Sequence, residues 1–359
     1  MNLNPNYLPK LRIEITVTDG CNCNCSYCFE NSHCHIDRPE IEEHHLFLLK
    51  DICENLDFTK YSGIHISFWG GEPLLNYKYF LQIIETTYKY EYVDYHLYSN
   101  GTLFDKFQDF VKQPFINSIQ NRFSIQLSYD GEPHHTLKRN SDKNIIFKTM
   151  DLLINNGFLN VSFKATLTKD LCHLLPQIWD SYYDLINIYP NIRYNVTLDT
   201  TDSTEDDTLF ENWKIAIKLV AKKELQFFKQ YGRFLSNLFA ENAKKKCNIN
   251  DSIFIHSDGN LYACHGCPYI ATSEQFKLGN SKDIQSFNEL KLINLPYQDN
   301  FDCLMCGATY CAVCHVNHII KNFKSEWFIN VSNNINKCKY YKYLGYIKKI
   351  LVFTLFNER

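Results

Sequence analysis

A chain of 359 residues, 45% of them apolar, is long for one domain and comfortable for a large domain with a smaller one. Its formal net charge of -3, without a long basic stripe, argues against a nucleic-acid partner. Met1 to Lys10 are polar and hold Pro5 and Pro9, which excludes a secretory signal, and the apolar run Ile350 to Phe356 is far short of the roughly 20 residues that span a bilayer. A cytoplasmic protein with no membrane partner is expected, so its 15 cysteines read as metal-ligating thiolates more readily than as disulfides.

In chain order, short β-rich runs at Leu11–Val17, Ile64–Trp69, Tyr95–Tyr98, Phe123–Ser128, Val161–Leu167 and Ile192–Leu198 predict strands. Between and after them, segments of helical period lie near Ile41–Asn55, Tyr77–Tyr90, Leu103–Lys112, Asn144–Asn156, Leu174–Asn187 and Asp206–Tyr231. Gly157 suits a helix stop, and Asp206 an acidic helix start. Alternating strands and helices imply an α/β fold with a parallel sheet, whose working residues gather at the carboxyl ends of the strands. Beyond about residue 235 the rhythm stops and cysteines become dense, which predicts a boundary between Tyr231 and Cys247. Lys244 to Lys246 read as a solvated helix end.

Directly after the first strand stands Cys21-Asn-Cys-Asn-Cys25-Ser-Tyr27-Cys28. Three thiolates in this C-x3-C-x2-C spacing can hold three irons of a 4Fe-4S cube and leave the fourth open, whereas an electron-transfer ferredoxin closes it with a fourth cysteine. Cys34 falls outside the ferredoxin rhythm. Zinc is the competing reading, but structural zinc sites prefer two separated C-x2-C knuckles. Cys23 has no place in the three-ligand pattern and reads as a small loop residue.

The spacing, with Tyr27 before the last cysteine, resembles the signature of radical S-adenosylmethionine (SAM) enzymes. The resemblance implies a partial (β/α)6 TIM-like barrel and reductive cleavage of SAM to a 5′-deoxyadenosyl radical. Gly70-Gly71-Glu72-Pro73, after the second strand, looks like the family motif that grips the methionyl amino group; alone, the four residues could be only a strand-to-helix turn. Asn100 after the third strand and Ser128 and Asp130 after the fourth resemble segments that lie against the cofactor, with Ser128 near the ribose. His135 and Arg139 continue a pattern in which a basic residue meets the SAM carboxylate; Lys164 is a second candidate for it, and Leu198 a candidate to pack on adenine.

Eight further cysteines follow: Cys247, Cys264, Cys267, Cys303, Cys306, Cys311, Cys314 and Cys338. Asp258-Gly259-x3-Ala263-Cys264 resembles the start of a SPASM domain, the auxiliary-cluster extension of peptide-modifying radical SAM enzymes. The later block is one residue shorter in two gaps than the family pattern. The resemblance implies a core over residues 1–235, a small cysteine-rich SPASM domain over 236–345 and a tail over 346–359. It also implies an inner auxiliary 4Fe-4S cluster on Cys247, Cys264, Cys267 and Cys314 and an outer one on Cys303, Cys306, Cys311 and Cys338, making three clusters in all. Two zinc sites are the alternative for this block. Cys34, Cys53 and Cys172 fit no cluster and read as buried small residues.

Sulfatase maturases carry Gln before their Gly-Gly-Glu-Pro, where this chain has Trp69, and Asp after the SPASM cysteine, where it has His265. The expected activity is therefore a peptide maturase that installs a carbon or thioether cross-link, with formylglycine formation as the alternative. A multi-cluster electron carrier or zinc scaffold without turnover is the alternative of another class. His265 is the candidate base, or a donor to a cluster sulfur, with Asp258 and Tyr262 as weaker candidates. Expected partners are a precursor peptide and an external electron donor of flavodoxin or ferredoxin type. The first strand begins within about ten residues, which leaves no room for a fused leader-binding domain, so a leader is expected to bind a separate protein or the barrel and SPASM surfaces.

Overall fold

The structure, a computed structural model, describes residues 8–28, 42–139, 141–198, 207–240, 249–269, 273–292, 319–321, 327–329, 343–344, 346–351 and 354. The main strands are β1 (Lys10–Thr18), β2 (Gly63–Gly70), β3 (Val93–Ser99), β4 (Phe123–Ser128), β5 (Asn160–Leu167), β6 (Arg193–Leu198), β7 (Ser252–Ile255), β8 (Asn260–Tyr262) and β9 (Lys277–Asn280). The helices are α1 (Glu42–Glu54), α2 (Tyr77–Thr87), α3 (Phe104–Phe110), α4 (Ile116–Ile119), α5 (Lys143–Asn155), α6 (Leu175–Leu185), α7 (Asp207–Tyr231) and α8 (Asn237–Ala240). Six strand-and-helix repeats thus stand in the expected order, each strand within two residues of its expected bounds. Asp142 caps α5, its carboxylate accepting from the Asn144 amide at 2.9 Å, and Gly157 ends that helix region at φ +82°, where a side chain would be strained.

The chain divides into two compact units. The first comprises Met1–Leu127, Asp142–Val161 and Asn248–Leu295. Here β1, β2, β3 and β4 pair in parallel, β7 joins the other edge of β1 in parallel, and β8 and β9 follow antiparallel. The segment after residue 248 therefore begins by extending the sheet of this unit, because β7 satisfies the backbone groups on the β1 edge.

Strand register sorts this sheet into two faces. Ile13, Ile66, Tyr95 and Phe123 form one row, and Ile15, Phe68, Leu97 and Ile125 the next; all eight are fully buried. Phe68 meets Phe80 of α2 edge-on at 4.7 Å, so this is the helix-covered face. The opposite face is polar, with Arg12, His65 and Asp94 in one row, then Glu14, Ser67, His96 and Ser124, then Thr16, Trp69, Tyr98 and Gln126. A parallel sheet buried in apolar surroundings on both faces would lack this alternation.

The second unit comprises Ser128–Ser141, Ser162–Cys247 and Pro296–Arg359. It contains the parallel pair β5 and β6, and an antiparallel pair, β10 (Ile319–Lys321) with β11 (Trp327–Ile329). Fully buried Glu224 of α7 accepts hydrogen bonds from Trp179 of α6 at 3.0 Å and from the Leu235 and Ser236 amides at 2.8 and 2.9 Å, which ties both helices to the next turn. Burial raises its pKa against these bonds. Among the described residues no helix is long and apolar enough to cross a membrane.

Replacing Phe68, which is 0% exposed, by alanine is expected to destabilise the protein by about 3–5 kcal/mol. Leu159→Ala, at a side chain 78% exposed, should change stability by no more than about 0.5 kcal/mol. Urea unfolding of both variants tests the burial of Phe68 under α2, and equal effects would contradict it.

Candidate cluster and cofactor site

Three strand ends of the first unit are knitted into one site. The loop after β1 carries the thiols of Cys21, Cys25 and Cys28, Cys25 buried and the other two half-buried. The turn after β2 lies directly on the base of this loop: the Gly71 amide donates to Thr18 O at 3.0 Å and the Glu72 amide to Gly20 O at 2.8 Å. A Cβ on Gly71 would stand 2.2 Å from Gly20 O, and one on Gly70, at φ +113°, 2.1 Å from Thr18 O. The glycines thus serve the approach of two backbones as well as any approach of a ligand.

Glu72 is fully buried and ties in the third strand end. Its Oε1 accepts from Ser99 Oγ at 2.9 Å and from the Leu74 amide at 3.3 Å, and its Oε2 from the Asn100 amide at 2.7 Å. Burial pushes its pKa up to about 7 against the pull of these donors. Asn100 passes the connection back, its Nδ2 donating to Asn22 Oδ1 at 2.8 Å and lying 3.9 Å from Cys21 Sγ. Asn22 in turn donates to Thr102 Oγ1 at 2.8 Å, and the Cys23 amide points at Cys21 Sγ from 3.4 Å. Tyr27 is half-buried beside Cys28, and Pro73 opens the short helix that follows Glu72.

His265 lies on the polar face of the same sheet. Its ring stacks on Trp69 with centroids 4.4 Å apart and 18° between planes, and Trp69 in turn packs on Tyr98 at 4.3 Å. The His265 Nδ1 is 2.8 Å from Glu14 Oε2, which also accepts the His265 amide at 3.2 Å. Burial would raise the Glu14 carboxyl, but His265 and Arg12 outweigh it and hold it down at about 2. Burial would likewise lower His265, but the carboxylate and Cys264 lift it well above its ordinary value. Cys264 and Cys267 sit one turn apart, the Cys267 amide donating to Cys264 O at 3.0 Å. Glu14, Cys264 and His265 have ligand atoms within 4.8 Å of one another.

The remaining candidates belong to the second unit. Asp130 is fully buried, accepting from Arg139 Nε at 3.1 Å and from the Thr166 amide at 3.0 Å. Half-buried Lys164 has its pKa lowered by burial and by Arg139, with Asp130 opposing. Two cations around one carboxylate leave a positive charge suited to a ligand carboxylate. His135 is buried, its Nε2 3.2 Å from Ser141 O and its Nδ1 accepting from the Asp130 amide at 3.3 Å, which gives it a local positioning role. Ser128 closes β4 and Leu198 closes β6. Cys247, Cys303, Cys306, Cys311, Cys314 and Cys338, like Cys34, lie outside the described residues. Cys53 and Cys172 are buried thiols whose pKa values burial pushes up to about 12 and about 11, in keeping with inert packing.

Sequence reasoning missed Glu14, Asn22 and Tyr98. Glu14 and Tyr98 lay in the polar alternation of β1 and β3, which reads equally as an ordinary solvent-facing side, and Asn22 in the cysteine loop gave no periodic signal.

The donor set fits an iron-sulfur cluster: three thiols share a loop, and N–H groups approach Cys21 in the way that steadies a thiolate. Residues 11–155 match the family described as a 4Fe-4S single cluster domain. The chain is 22% identical over 329 residues to the radical SAM cyclopropyl synthase TigE of Paramaledivibacter caminithermalis, across 82% of this chain and 65% of that protein. It thus spans less than two-thirds of that relative's length. In fold it is similar to anSMEcpe with bound AdoMet and Cp18Cys peptide, at a TM-score of 0.68 and 18% identity over 98% of this chain and 100% of that one. Streptococcus suis SuiB bound to precursor peptide SuiA gives a TM-score of 0.60 at 13% identity, over 90% of this chain and 75% of that one. The site and fold define an α/β protein with an iron-sulfur loop at its strand ends. The chain is similar in sequence to a radical SAM enzyme and matches a 4Fe-4S single cluster domain across its cysteine loop.

Gly71→Ala should push the β2 turn off the cysteine loop and lose about four irons per chain from the reconstituted protein. Iron analysis checks this, and full iron loading would contradict it. For Glu72, a folded pKa near 7 above the unfolded value means that its contribution to stability is full below about pH 4.5 and is lost as pH rises through 7. The melting temperature of the wild type relative to Glu72→Gln should therefore fall between about pH 4.5 and 7 and level off above, and a constant difference would contradict the raised pKa.

Proposed function

We propose that this protein is a radical SAM maturase that modifies a ribosomally made peptide by installing a carbon or thioether cross-link. The observation that carries the reading is the knit of Cys21, Cys25 and Cys28 with Gly71, Glu72 and Asn100, which fixes the thiol loop against the neighbouring strand ends. The fold shared with the peptide-bound SuiB and anSMEcpe structures supports a peptide substrate. The stacked Trp69 and His265 support cross-linking over formylglycine formation, because these are the positions at which the chain departs from the sulfatase-maturase pattern.

In this reading Cys21, Cys25 and Cys28 hold the SAM-binding cluster, which supplies the electron for reductive SAM cleavage. The three strand-end segments hold the cysteine loop in place, and Asn100 steadies the sulfur of Cys21. Lys164 and Arg139 offer charge to the SAM carboxylate, while Ser128 and Leu198 take the ribose and adenine sides. Cys264 and Cys267, with Cys247 and the later cysteines, hold two auxiliary clusters. His265, its Nδ1 committed to Glu14, keeps Nε2 for the substrate or a cluster sulfur. An external flavodoxin or ferredoxin provides electrons, and a separate protein or the chain's own surface takes the leader.

Anaerobic reconstitution with dithionite and SAM should yield 5′-deoxyadenosine only while Cys21, Cys25 and Cys28 are intact, with about twelve irons per chain. No 5′-deoxyadenosine would sink the enzyme reading, and about four irons would remove the auxiliary clusters. Anaerobic co-expression with short reading frames beside the gene should give a peptide lighter by two hydrogens, localised between two residues by tandem mass spectrometry. A formylglycine mass change would replace cross-linking with the sulfatase-maturase reaction.

A further inference from the structure

We propose that an open groove on α7 of the second unit binds an acidic amphipathic helix in the leader of the peptide substrate, an inference that rests on the maturase reading. One wall is α7, with Ile215, Leu219 and Leu225; the other is a later helical segment of the same unit, with Ile347, Ile350 and Leu351. The groove encloses about 500 Å³ and opens to solvent, since Ile215 is 58%, Leu219 46% and Ile350 44% exposed, while Ile347 and Leu351 are buried. A single exposed leucine needs no explanation, but apolar side chains exposed together along one groove mark a surface that a partner covers.

The sequence of α7 gives the groove its character. Trp213, Ile217, Val220 and Phe227 are buried and supply the one apolar stripe that a packed helix needs. Ile215, Lys218, Leu219 and Lys222 follow the i, i+3, i+4, i+7 spacing of a second face, and all four are exposed. Tyr343 meets the Phe210 ring of α7 edge-on with centroids 6.2 Å apart, which seats the later segment against α7. The charges name the partner. Lys214 and Lys223 of α7 are paired with Glu211 and Asp180, whereas Lys218 and Lys222 line the groove and form no ion pair among the described residues. Like charges four residues apart disfavour the helix that carries them, and carboxylates on a partner remove that cost. A second copy of the chain packed on the same face would instead bring four lysines together. Ile215 to Leu225 covers about 15 Å of helix axis, three turns, over which a partner helix sets its apolar residues into a groove and its acidic residues beside the lysines. A leader held here raises the effective concentration of the attached segment to be modified.

The probes are two synthetic peptides of about 18 residues with leucine at helical spacing, one with glutamate and the other with lysine at the flanking positions. By fluorescence anisotropy, the reconstituted full-length protein should bind the acidic peptide at least about tenfold more tightly than the basic one. The double variant Lys218→Glu, Lys222→Glu should reverse that preference, and Leu219→Ser should weaken the acidic peptide at least about fivefold. Melting temperatures of both variants should stay within about 2 °C of wild type, because the replaced side chains are exposed. Co-expressed with the short reading frames beside the gene, the charge-reversed variant should give at least about tenfold less modified peptide, while 5′-deoxyadenosine formed without peptide stays at the wild-type level. No preference for the acidic peptide, or a preference that survives charge reversal, overturns the groove. Dimers of wild type in sedimentation equilibrium that Leu219→Ser turns into monomers would assign the face to a second copy and overturn it as well. If wild type modifies no encoded peptide, the maturase reading fails and the leader assignment with it. If it modifies peptide and the variants match it, the groove alone fails.

Discussion

The contact of one backbone turn with another governs the site. Gly70 and Gly71 at the end of β2 lie so close to Thr18 and Gly20 at the end of β1 that no side chain fits between them. That approach lets two hydrogen bonds from backbone amides fix the base of the cysteine loop, and it delivers Glu72 to the interior beneath the third strand end. A flexible loop bearing three thiols would lose ordering entropy on gathering its sulfurs around one cluster; a loop already tied at its base by neighbouring strands loses less. The buried carboxylate is the expensive element of this arrangement. Its three donors offset part of the desolvation and convert a local turn into a joint between strands.

The same sheet divides its labour between faces. On one, rows of isoleucine, phenylalanine and tyrosine pack under α2 and supply most of the cohesion of the first unit. On the other, Arg12, Glu14, Ser67, His96 and Gln126 carry groups that contribute little to cohesion. Since side chains alternate strictly along a strand, a shift of register by one residue would exchange these faces and bury the charges under the helices. The stability of the apolar face therefore also fixes the chemistry of the polar one.

Much of this was legible in the residues. Strand and helix positions followed from periodicity, and the order of Cys21, Gly70, Asn100 and Ser128 along successive strand ends pointed to one site because parallel strands bring those ends to one edge. What individual residues do there was less legible. Glu72 stands in the motif that resembles an amino-group grip, and its oxygens also accept from the Ser99 hydroxyl and the Leu74 and Asn100 amides, a joint between strand ends that local pattern does not report. Asp130, read as part of a segment that lies against the cofactor, accepts from Arg139 and the Thr166 amide. Glu14 gave no sign of a role, since its partner, His265, is 251 positions away and reaches it only because β7 lies beside β1. Local pattern reports periodicity and turns; it does not report which edge a later strand will take.

That long-range pairing gives meaning to two residues that looked unrelated. Trp69 precedes the glycine turn of β2, and His265 follows Cys264 after β8, yet their rings are stacked at 4.4 Å. Neither ring would find that surface if the other position held a flexible amide or a carboxylate, so the two departures from the sulfatase-maturase pattern form one feature. Glu14 completes it: the carboxylate takes the Nδ1 side of the imidazole and fixes the ring plane against the indole. A histidine bound in this way is oriented before any ligand arrives.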